Sequence, residues 1–297
     1  MTDEAPGLPP AEVEIDLEMI RSLIMSQLPD LKDLPTQLAG EGWDNMMIRI
    51  GDAHALRMPR HAHGEQLLKN EQDWLPQLAP ILPLPVPEPV FIGTPGFGYP
   101  FTWSLVRWLP GDVAALSPPM PSEAGTLAAF LRALHVAAPQ GAPKNDARGC
   151  PLIHKQEDTE RRMANISHRT DLLTPKLRDL WHRALAAPID VSPLWLAGDI
   201  HPQNVLVEKG RFSAFIDWGD MCTGDCASDL ASIWMLFENK AARAKVIEAY
   251  GMSEATLLRA KGWAIFFGVI LLETGLRDDP LHAKTGEATL RRLNADA

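Results

Sequence analysis

One short segment, residues 199–219, constrains the fold of this chain more than any other. Asp199 is followed five residues later by Asn204, and then come two β-prone runs, the second of which ends at Asp217. The turn between the runs is polar and contains a glycine, so the segment is predicted to form a β-hairpin. Because a hairpin brings its two ends together, we expect Asn204 and Asp217 to lie side by side.

These three side chains carry the chemistry that phosphoryl transfer requires. Asp199 can orient or deprotonate a hydroxyl, while Asn204 and Asp217 offer the oxygen ligands that suit Mg²⁺ against nucleotide phosphates. This reaction asks little covalent chemistry of a protein, so positioned oxygen-bearing groups and a phosphate cradle nearly suffice. Taken singly, Asp199 could equally cap a helix and Asp217 could simply end a strand. Their combined spacing favours an active site.

The wider pattern resembles a known family. Gly-Asp-x-His-Pro-x-Asn followed by Phe-Ile-Asp-Trp-Gly is similar to the catalytic stretch of the aminoglycoside phosphotransferase family, small-molecule kinases with a protein-kinase-like, two-lobed fold. The resemblance extends from about Leu38 to the C-terminal helices. It implies that Asp199 is the catalytic base and that Asn204 and Asp217 are the magnesium ligands.

The resemblance also assigns residues that support the catalytic loop. His201 and Pro202 are expected to shape it, and His135, in a Leu-His pair on a helix, is expected to brace it. Family members usually carry His immediately before the Gly-Asp pair, whereas this chain has Ala197. Because that His braces the loop and takes no part in the chemistry, we expect activity with a less rigid loop.

A Gly-x-Gly motif near the N-terminus is the candidate loop over the ATP phosphates. Glycine lacks a Cβ, so its backbone N–H can approach a phosphate closely. On its own, Gly40-Glu41-Gly42 suits a plain hairpin turn better, and its position two strands before a basic residue makes the phosphate loop an equal alternative. The adjoining Trp43-Asp44-Asn45 resembles a bacterial branch of the family. We assign Gly40, Gly42 and Asn45 to the nucleotide site.

A basic residue on the third strand is expected to hold the α and β phosphates and to pair with an acid on the next helix. Arg57 occupies that position, where kinases carry Lys, and Glu71 is its candidate partner. Arg60 is the alternative phosphate contact. Lys69 and Asp73 are competing charges on the same helix.

The predicted hinge follows a strongly β-prone run, residues 101–108. Pro110 and Gly111 break the run. A cleft between two lobes is a usual place for a ligand. Under the resemblance, the backbone at Arg107 and Trp108 would bind the adenine edge.

Acidic residues in the C-terminal half are the candidates for substrate recognition, because antibiotic kinases hold amino groups of the drug with such residues. They are Asp225, Glu273, Asp278 and Asp279. A solvated loop is the alternative interpretation of the last three. Asp229, which precedes an apolar run, is interpreted as a helix N-cap. The apolar stretch 263–272 is predicted to be mainly core, and it would also suit the wall of a macrolide pocket.

The composition fits a soluble protein in a reducing compartment. The chain has 297 residues, a net charge of −10 and three cysteines without a pairing or zinc pattern, so we expect a cytoplasmic protein whose cysteines are structural. No apolar run is judged long enough to span a bilayer, and the acidic N-terminus is unlike a signal peptide. The charge argues against a nucleic-acid partner and is compatible with a cationic substrate.

We therefore predict an α+β, protein-kinase-like fold of two lobes. The strand-rich lobe spans 1–107, with 1–12 disordered; the hinge is 108–112, and the helical lobe spans 113–297. The predicted activity is Mg²⁺-dependent transfer of the γ-phosphate of ATP or GTP to a hydroxyl of a small molecule. The acceptor would be an aminoglycoside, a macrolide or a hydroxylated metabolite, and a nucleotide-binding pseudoenzyme is the remaining alternative. Neither a membrane nor a nucleic acid is an expected partner, and the oligomeric state is left open.

Overall fold

The N-terminal part of the chain folds around one antiparallel sheet. The computed structural model describes residues 10–277 and 279–296. Five strands lie in the order β1-β2-β3-β5-β4, and every neighbouring pair is antiparallel. They are β1 (Thr36–Glu41), β2 (Asn45–Ile50), β3 (His54–Pro59), β4 (Pro89–Gly93) and β5 (Trp103–Arg107). The turn at Gly51-Asp52 joins β2 to β3, and Gly51 has a φ of 53°, which glycine adopts without strain.

Two helices accompany this sheet. The first, α1 (Leu17–Gln27), begins after Asp16, whose carboxylate accepts the backbone N–H of Met19 at 2.7 Å. One face of α1 has helical apolar spacing and joins the buried apolar cluster of the strands through Ile20, Leu23 and Ile24. The second, α2 (Ala62–Leu78), directly follows β3 and therefore stands beside the residues that β3 carries.

The remainder of the chain is mainly helical. Its helices are α3 (Ala124–Leu134), α4 (Gln156–Ile166), α5 (Pro175–Ala186), α6 (Ala227–Leu230), α7 (Ser232–Leu236), α8 (Lys240–Tyr250), α9 (Glu254–Gly275) and α10 (Pro280–Asp296). The long α9 lies at the centre and packs against α4, α5, α6, α7 and α10. A sheet followed by a helical part is the order of elements that the sequence predicted.

Five short strands run through this helical part. They are β6 (Asp112–Val113), β7 (Leu194–Leu196), β8 (Val205–Glu208), β9 (Arg211–Phe215) and β10 (Cys222–Gly224). The predicted hairpin is present as β8 and β9, and β6 pairs with β8 while β7 pairs with β10. The sequence did not predict β6, β7 or β10, because strands of two or three residues carry no readable periodicity.

The central helix α9 is long and apolar enough, by length and composition alone, to cross a membrane, whereas the sequence predicted no such segment. However, 72% of its apolar window is buried inside the protein. The rings of Trp263, Phe266 and Phe267 pack against one another at centroid distances of 5.3 to 5.9 Å. The burial confirms that the stretch 263–272 is mainly core.

The N-terminal segment is held against α2 within the described residues. The N–H of Glu12 donates to the Arg60 carbonyl at 2.8 Å, and the Glu12 carboxylate accepts the N–H of Ala62 at 3.2 Å. Glu12 therefore does not belong to a disordered tail. Residues 1–9 of the predicted tail lie outside the described residues.

Candidate active site

The β8–β9 hairpin brings Asn204 and Asp217 together, as the sequence predicted. The N–H of Ile216 donates to the Asn204 carbonyl at 2.9 Å, so the residues on either side of the hairpin face each other. Asp217 has a φ of 60°, a left-handed conformation that is uncommon for a non-glycine residue. Such backbone strain concentrates at functional sites. The Asp217 side chain is 60% exposed, so its carboxylate is open to a ligand.

Asp199 lies next to this hairpin and is surrounded by donors. The Asn204 amide Nδ2 is 3.1 Å from the Asp199 carbonyl oxygen and 3.4 Å from its Oδ2. Arg148 Nη2 donates to Oδ1 at 3.0 Å, and His201 Nε2 lies 3.4 Å from Oδ2. Burial by itself would raise the pKa of the Asp199 carboxyl, but Arg148 and His201 outweigh it and hold that pKa well below its usual range. Asp199 is therefore ionised at neutral pH.

Arg148 also lies in the candidate site, although no sequence pattern predicted it. Its Nη2 also lies 3.4 Å from Oδ2 of Asp220, so one guanidinium bridges Asp199 and Asp220. Arg148 and Asp199 are 51 residues apart and come from different elements. No local pattern pointed to Arg148, because only the tertiary fold brings its segment to the catalytic loop.

The catalytic loop is anchored by Asp229, which was interpreted as a helix N-cap. That interpretation is wrong: Asp229 lies within α6, and its carboxylate accepts the N–H groups of Ala197 at 2.8 Å and of Gly198 at 2.9 Å. His135 Nε2 lies 3.3 Å from the same carboxylate, so His135 supports the loop through Asp229. Backbone N–H bonds do not depend on the side chain of the residue that donates them, so Ala197 is anchored here without a polar side chain.

Gly198 is required at this loop by close packing. It has a φ of 88°, and a Cβ at this position would lie 2.3 Å from the backbone oxygen of Asp220. No other residue type avoids both the strained φ and this contact. The Gly-Asp pair of the motif therefore sets how closely the catalytic loop approaches Asp220.

Arg57 and Glu71 form the predicted ion pair across β3 and α2. Arg57 Nη2 is 2.7 Å from Glu71 Oε1, and the same nitrogen lies 3.4 Å from Asp217 Oδ1. Burial raises the pKa of Glu71 to about 7 against the pull of Arg57, and Asp217 and Asp44 add to the rise. Burial opposes the charge on Arg57, yet Glu71 and Asp217 raise the pKa of its guanidinium. Three carboxylates, those of Glu71, Asp217 and Asp44, act on the single Arg57 guanidinium.

Excess negative charge at this point fits a divalent cation. Asp217 offers an exposed carboxylate, and the Asn204 amide donates through Nδ2, which leaves its Oδ1 to act as an acceptor. No cluster of three or more His, Cys, Asp or Glu side chains with metal-binding geometry occurs among the described residues. Such a cluster is not needed for Mg²⁺, which keeps several waters and takes substrate phosphates as ligands.

The predicted phosphate loop is the tip of the β1–β2 hairpin, and residues 60 and 61 hold its carbonyl side. Arg60 Nη1 donates to the carbonyls of Gly42 and Trp43, both at 3.2 Å, and the Arg60 N–H donates to the Asp44 carbonyl at 2.9 Å. His61 Nδ1 accepts the N–H of Gly64, so its Nε2 carries the proton and donates to the Trp43 carbonyl at 3.2 Å. Three successive carbonyls thus point toward one side of the loop.

The opposite side of the loop presents backbone donors. In a trans peptide the N–H points away from the C=O, so the N–H groups of Trp43 and Asp44 face away from Arg60. Consecutive N–H groups that point the same way form an anion-binding concavity. Gly40 has no atom within 4 Å of where its Cβ would be, so this strand edge is open. Arg60, the alternative phosphate contact, instead contacts the carbonyl side of the loop.

Replacing Arg60 with alanine should weaken ATP binding by roughly tenfold, because the loop loses two hydrogen bonds from a charged donor, to the carbonyls of Gly42 and Trp43, that hold its shape before ATP binds. Binding of adenosine should change little, because adenosine carries no phosphate. Titration calorimetry with both ligands measures the difference. Arg161→Ala, on the exposed surface of α4, is the matched control. Equal losses for ATP and adenosine would contradict the assigned loop geometry.

The hinge backbone is only partly free. The N–H of Trp108 donates to the Ala53 carbonyl at 2.8 Å, so the Trp108 amide belongs to the N-terminal sheet. The Arg49 guanidinium lies over the Trp108 ring, with its Cζ 4.6 Å from the centroid of the ring. Because the peptide is trans, the Arg107 carbonyl points the opposite way. Of the two predicted positions, Arg107 therefore retains a hinge acceptor, and Trp108 does not offer its N–H to a base.

Two predicted substrate contacts are instead internal ion pairs. Asp225 is 4% exposed and accepts from Arg259 at 2.7 and 3.1 Å. Glu273 is 6% exposed and accepts from Arg162 and, at 2.8 Å, from Asn165. Buried carboxylates need such partners, and these are already satisfied. Neither Asp225 nor Glu273 is therefore placed to contact a substrate.

Asp279 is the remaining candidate, because Asp278 lies outside the described residues. Asp279 Oδ2 accepts from Gln203 Nε2, in the catalytic loop, at 3.1 Å. His282, close by, packs edge-on against His201 at a ring distance of 5.7 Å. The start of α10 is thereby placed against the catalytic loop.

A cavity of about 540 Å³ lies between the phosphate loop and the catalytic half of the cleft. Its lining residues come from the N-terminal segment, the loop tip, α2 and the segment after Asp217: Pro10, Glu12, Trp43, Asp44, His61, His63, Leu67 and Asp220.

The three cysteines are free, and burial raises the pKa of the Cys226 thiol to about 11. Such a thiol is unreactive, in keeping with a structural role.

Comparison with known proteins identifies the class. Residues 36–263 match the model of the phosphotransferase enzyme family, which is more than half of the chain. This chain belongs to that family, which confirms the resemblance drawn from the catalytic motifs. No curated protein sequence matches the chain.

Solved structures confirm the two-lobed α+β fold. The GDP complex of wild-type aminoglycoside 2′-phosphotransferase-IIIa is 20% identical with a TM-score of 0.66, and the match covers 95% of this chain and 99% of that one. The apoenzyme of macrolide 2′-phosphotransferase MphH from Brachybacterium faecium is 21% identical with a TM-score of 0.59, covering 94% and 98%. The streptomycin–ATP complex of APH(2″)-IIa is 15% identical with a TM-score of 0.58, covering 94% and 97%.

Proposed function

We propose that this protein transfers the γ-phosphoryl group of a nucleoside triphosphate to a hydroxyl of a small molecule, with Mg²⁺. The observation that carries the proposal is the convergence of Asp199, Asn204 and Asp217 beside the Arg57–Glu71 pair. Each of these groups has a distinct part in phosphoryl transfer. A member of the phosphotransferase family with this set intact has what the reaction needs.

The acceptor hydroxyl would be oriented by Asp199. Its carboxylate is ionised and fixed by donors, so it can accept a hydrogen bond from the hydroxyl without reorganising. Because the transition state of phosphoryl transfer is loose, orientation matters more than early removal of the proton. The low pKa of Asp199 suits this orienting role.

The phosphates would be held from three sides. Asn204 and Asp217 would bind Mg²⁺, and Arg57, kept in place by Glu71, would contact the α and β phosphates. When bound, Mg²⁺ neutralises charge on the β and γ phosphates. The N–H groups of the phosphate loop would complete the cradle, and the Arg107 carbonyl would accept from the base.

The donor would be ATP or GTP and the acceptor an antibiotic. Structural relatives are described in complexes with GDP, with gentamicin, and with streptomycin and ATP, and others are macrolide phosphotransferases. Because Asp225 and Glu273 are engaged internally, the described residues offer less acidic surface for a polycation than the sequence predicted. This favours a macrolide-type acceptor over an aminoglycoside. A cytoplasmic location, where nucleotide and Mg²⁺ are available together, fits the proposal.

A coupled assay of nucleotide consumption tests the proposal. Purified protein would be run with ATP or GTP against macrolides, aminoglycosides and hydroxylated metabolites, in Mg²⁺ and in EDTA. We expect Mg²⁺-dependent turnover with one acceptor class. Asp217→Asn should weaken Mg²⁺–ATP binding at least tenfold by removing a charged ligand, while Asp179→Asn, on the exposed surface of α5, should not. Turnover that persists in EDTA would contradict the metal role, and no nucleotide binding at all would contradict the function.

A further inference from the structure

We propose that Arg148 is a catalytic residue that stabilises the charge on the transferring phosphoryl group. The proposal rests on the phosphotransferase function above and adds a residue to its active site. Arg148 comes from the irregular segment between α3 and α4, outside the hairpin and the strand that supply the other site residues.

The position of the guanidinium carries the argument. Arg148 Nη2 is 3.0 Å from Asp199 Oδ1 and 3.4 Å from Asp220 Oδ2, so it lies between the base and the segment that follows the metal ligand. A hydroxyl held by Asp199 would sit about 2.7 Å from the carboxylate. The phosphorus it attacks would lie about 3–3.5 Å beyond. The guanidinium borders the carboxylate that would hold the hydroxyl, and in the proposed arrangement it faces the reacting phosphoryl group.

Arg148 has hydrogen-bonding capacity that its carboxylate partners do not use. Its Nε is buried without a partner among the described residues, and its Nη1 has one long contact of 3.5 Å to the Ala147 carbonyl. An arginine presents five donors in a planar fork that matches phosphate oxygens. Nη1 would donate to a phosphoryl oxygen while Nη2 keeps its contacts with the two carboxylates.

Contacts made by the neighbouring residues fix the position of Arg148 beside Asp199. The Asn145 side-chain oxygen accepts the N–H of Ala147 at 2.7 Å and of Arg148 at 3.2 Å, while its Nδ2 donates to Asp220 Oδ1 at 2.7 Å. Gly149 has a φ of 61°, and a Cβ there would lie 2.4 Å from a Leu196 methyl carbon, so the segment packs tightly on β7. The guanidinium also lies over the ring of Phe267 at 5.2 Å. Arg148 is held in place before any ligand binds.

The step it would assist is an in-line displacement. The acceptor oxygen forms a bond to the γ-phosphorus, and the bond from that phosphorus to the β-phosphate oxygen breaks and leaves the nucleoside diphosphate. The hydroxyl proton passes to Asp199 and then to water. Negative charge spreads over the equatorial phosphoryl oxygens, and an arginine supplied from the same chain stabilises that charge.

A variant set with three readouts tests the proposal. The variants are Arg148→Ala, Arg148→Lys, Asp220→Asn and the double variant Arg148→Ala/Asp220→Asn, with Arg161→Ala as the control for loss of a surface charge. The readouts are ADP affinity by calorimetry, hydrolysis of Mg²⁺–ATP with water as acceptor, and thermal stabilisation by ADP with aluminium fluoride. The last complex mimics the planar phosphoryl group.

We expect Arg148→Ala to lower hydrolysis roughly 10²- to 10³-fold and to lose the stabilisation by aluminium fluoride, while ADP affinity stays within about threefold of wild type. Arg148→Lys keeps the charge without the fork and should recover only part of the rate. The Asp220→Asn change in the double variant removes the unpaired carboxylate, and the rate should stay low.

Three outcomes would overturn the proposal. Recovery of the rate in the double variant would mean that Arg148 only neutralises Asp220. Unchanged hydrolysis and aluminium fluoride binding in Arg148→Ala would remove it from the chemistry. Equal loss of ADP affinity and rate would assign it to nucleotide binding or to folding. A wild-type protein that neither binds nor hydrolyses nucleotide would instead count against the phosphotransferase function itself.

Discussion

Asp199→Asn should reduce phosphoryl transfer by roughly 10²- to 10⁴-fold while leaving nucleotide affinity nearly unchanged. Asparagine has the same shape but no charge, so the acceptor hydroxyl loses its ionised hydrogen-bond partner. Arg148 and His201 lose theirs as well. The measurements are kcat/KM in the coupled assay and ATP affinity by calorimetry.

The matched control for this prediction is Asp179→Asn, which removes one exposed carboxylate from α5. Its turnover should equal that of the wild-type protein. If Asp199→Asn retained turnover within threefold of wild type, Asp199 would not be the residue that handles the acceptor hydroxyl.

Asp229→Ala should lower the free energy of unfolding by about 3–5 kcal/mol, because it leaves the buried N–H groups of Ala197 and Gly198 without an acceptor. It also removes the partner of His135 Nε2. Activity should fall together with stability, since these bonds set the path of the catalytic loop. Urea unfolding followed by tryptophan fluorescence measures the change.

Asp229→Asn is a milder change at the same position. The amide keeps one oxygen acceptor, so we expect a smaller loss of stability than in Asp229→Ala. Asp179→Ala, at an exposed position, should change the free energy of unfolding by less than about 0.5 kcal/mol. A loss below 1 kcal/mol in Asp229→Ala would show that the loop is held by other contacts.

Features that depend on neighbouring residues could be predicted from the sequence. The hairpin at 205–215 follows from two β-prone runs around a short turn, and its ends then have to meet. The Arg57–Glu71 pair spans 14 residues between adjacent elements, and the kinase pattern of a basic residue on the third strand with an acid on the next helix was enough to predict it. The catalytic motif and the family resemblance depend on the same short stretches of chain.

Features that depend on long-range packing could not be predicted. Asp225 and Glu273 were taken as substrate contacts because an acidic residue looks the same in sequence whether it is buried or exposed. Their partners, Arg259 and Arg162, are 34 and 111 residues away. The role of Asp229 was missed for the same reason, because its partners lie 31 and 32 residues away in the chain.

The sequence by itself determined which side chains make up the candidate site: two aspartates, an asparagine and a basic residue, at spacings that local turns and strands bring into register. The tertiary structure decided which charges are free to act. Packing around α9 sequesters Asp225 and Glu273 in internal pairs, and the fold of the segment before α4 brings Arg148 to Asp199. Burial makes an unpaired charge costly, so the partner of each charge is chosen by the folded chain as a whole.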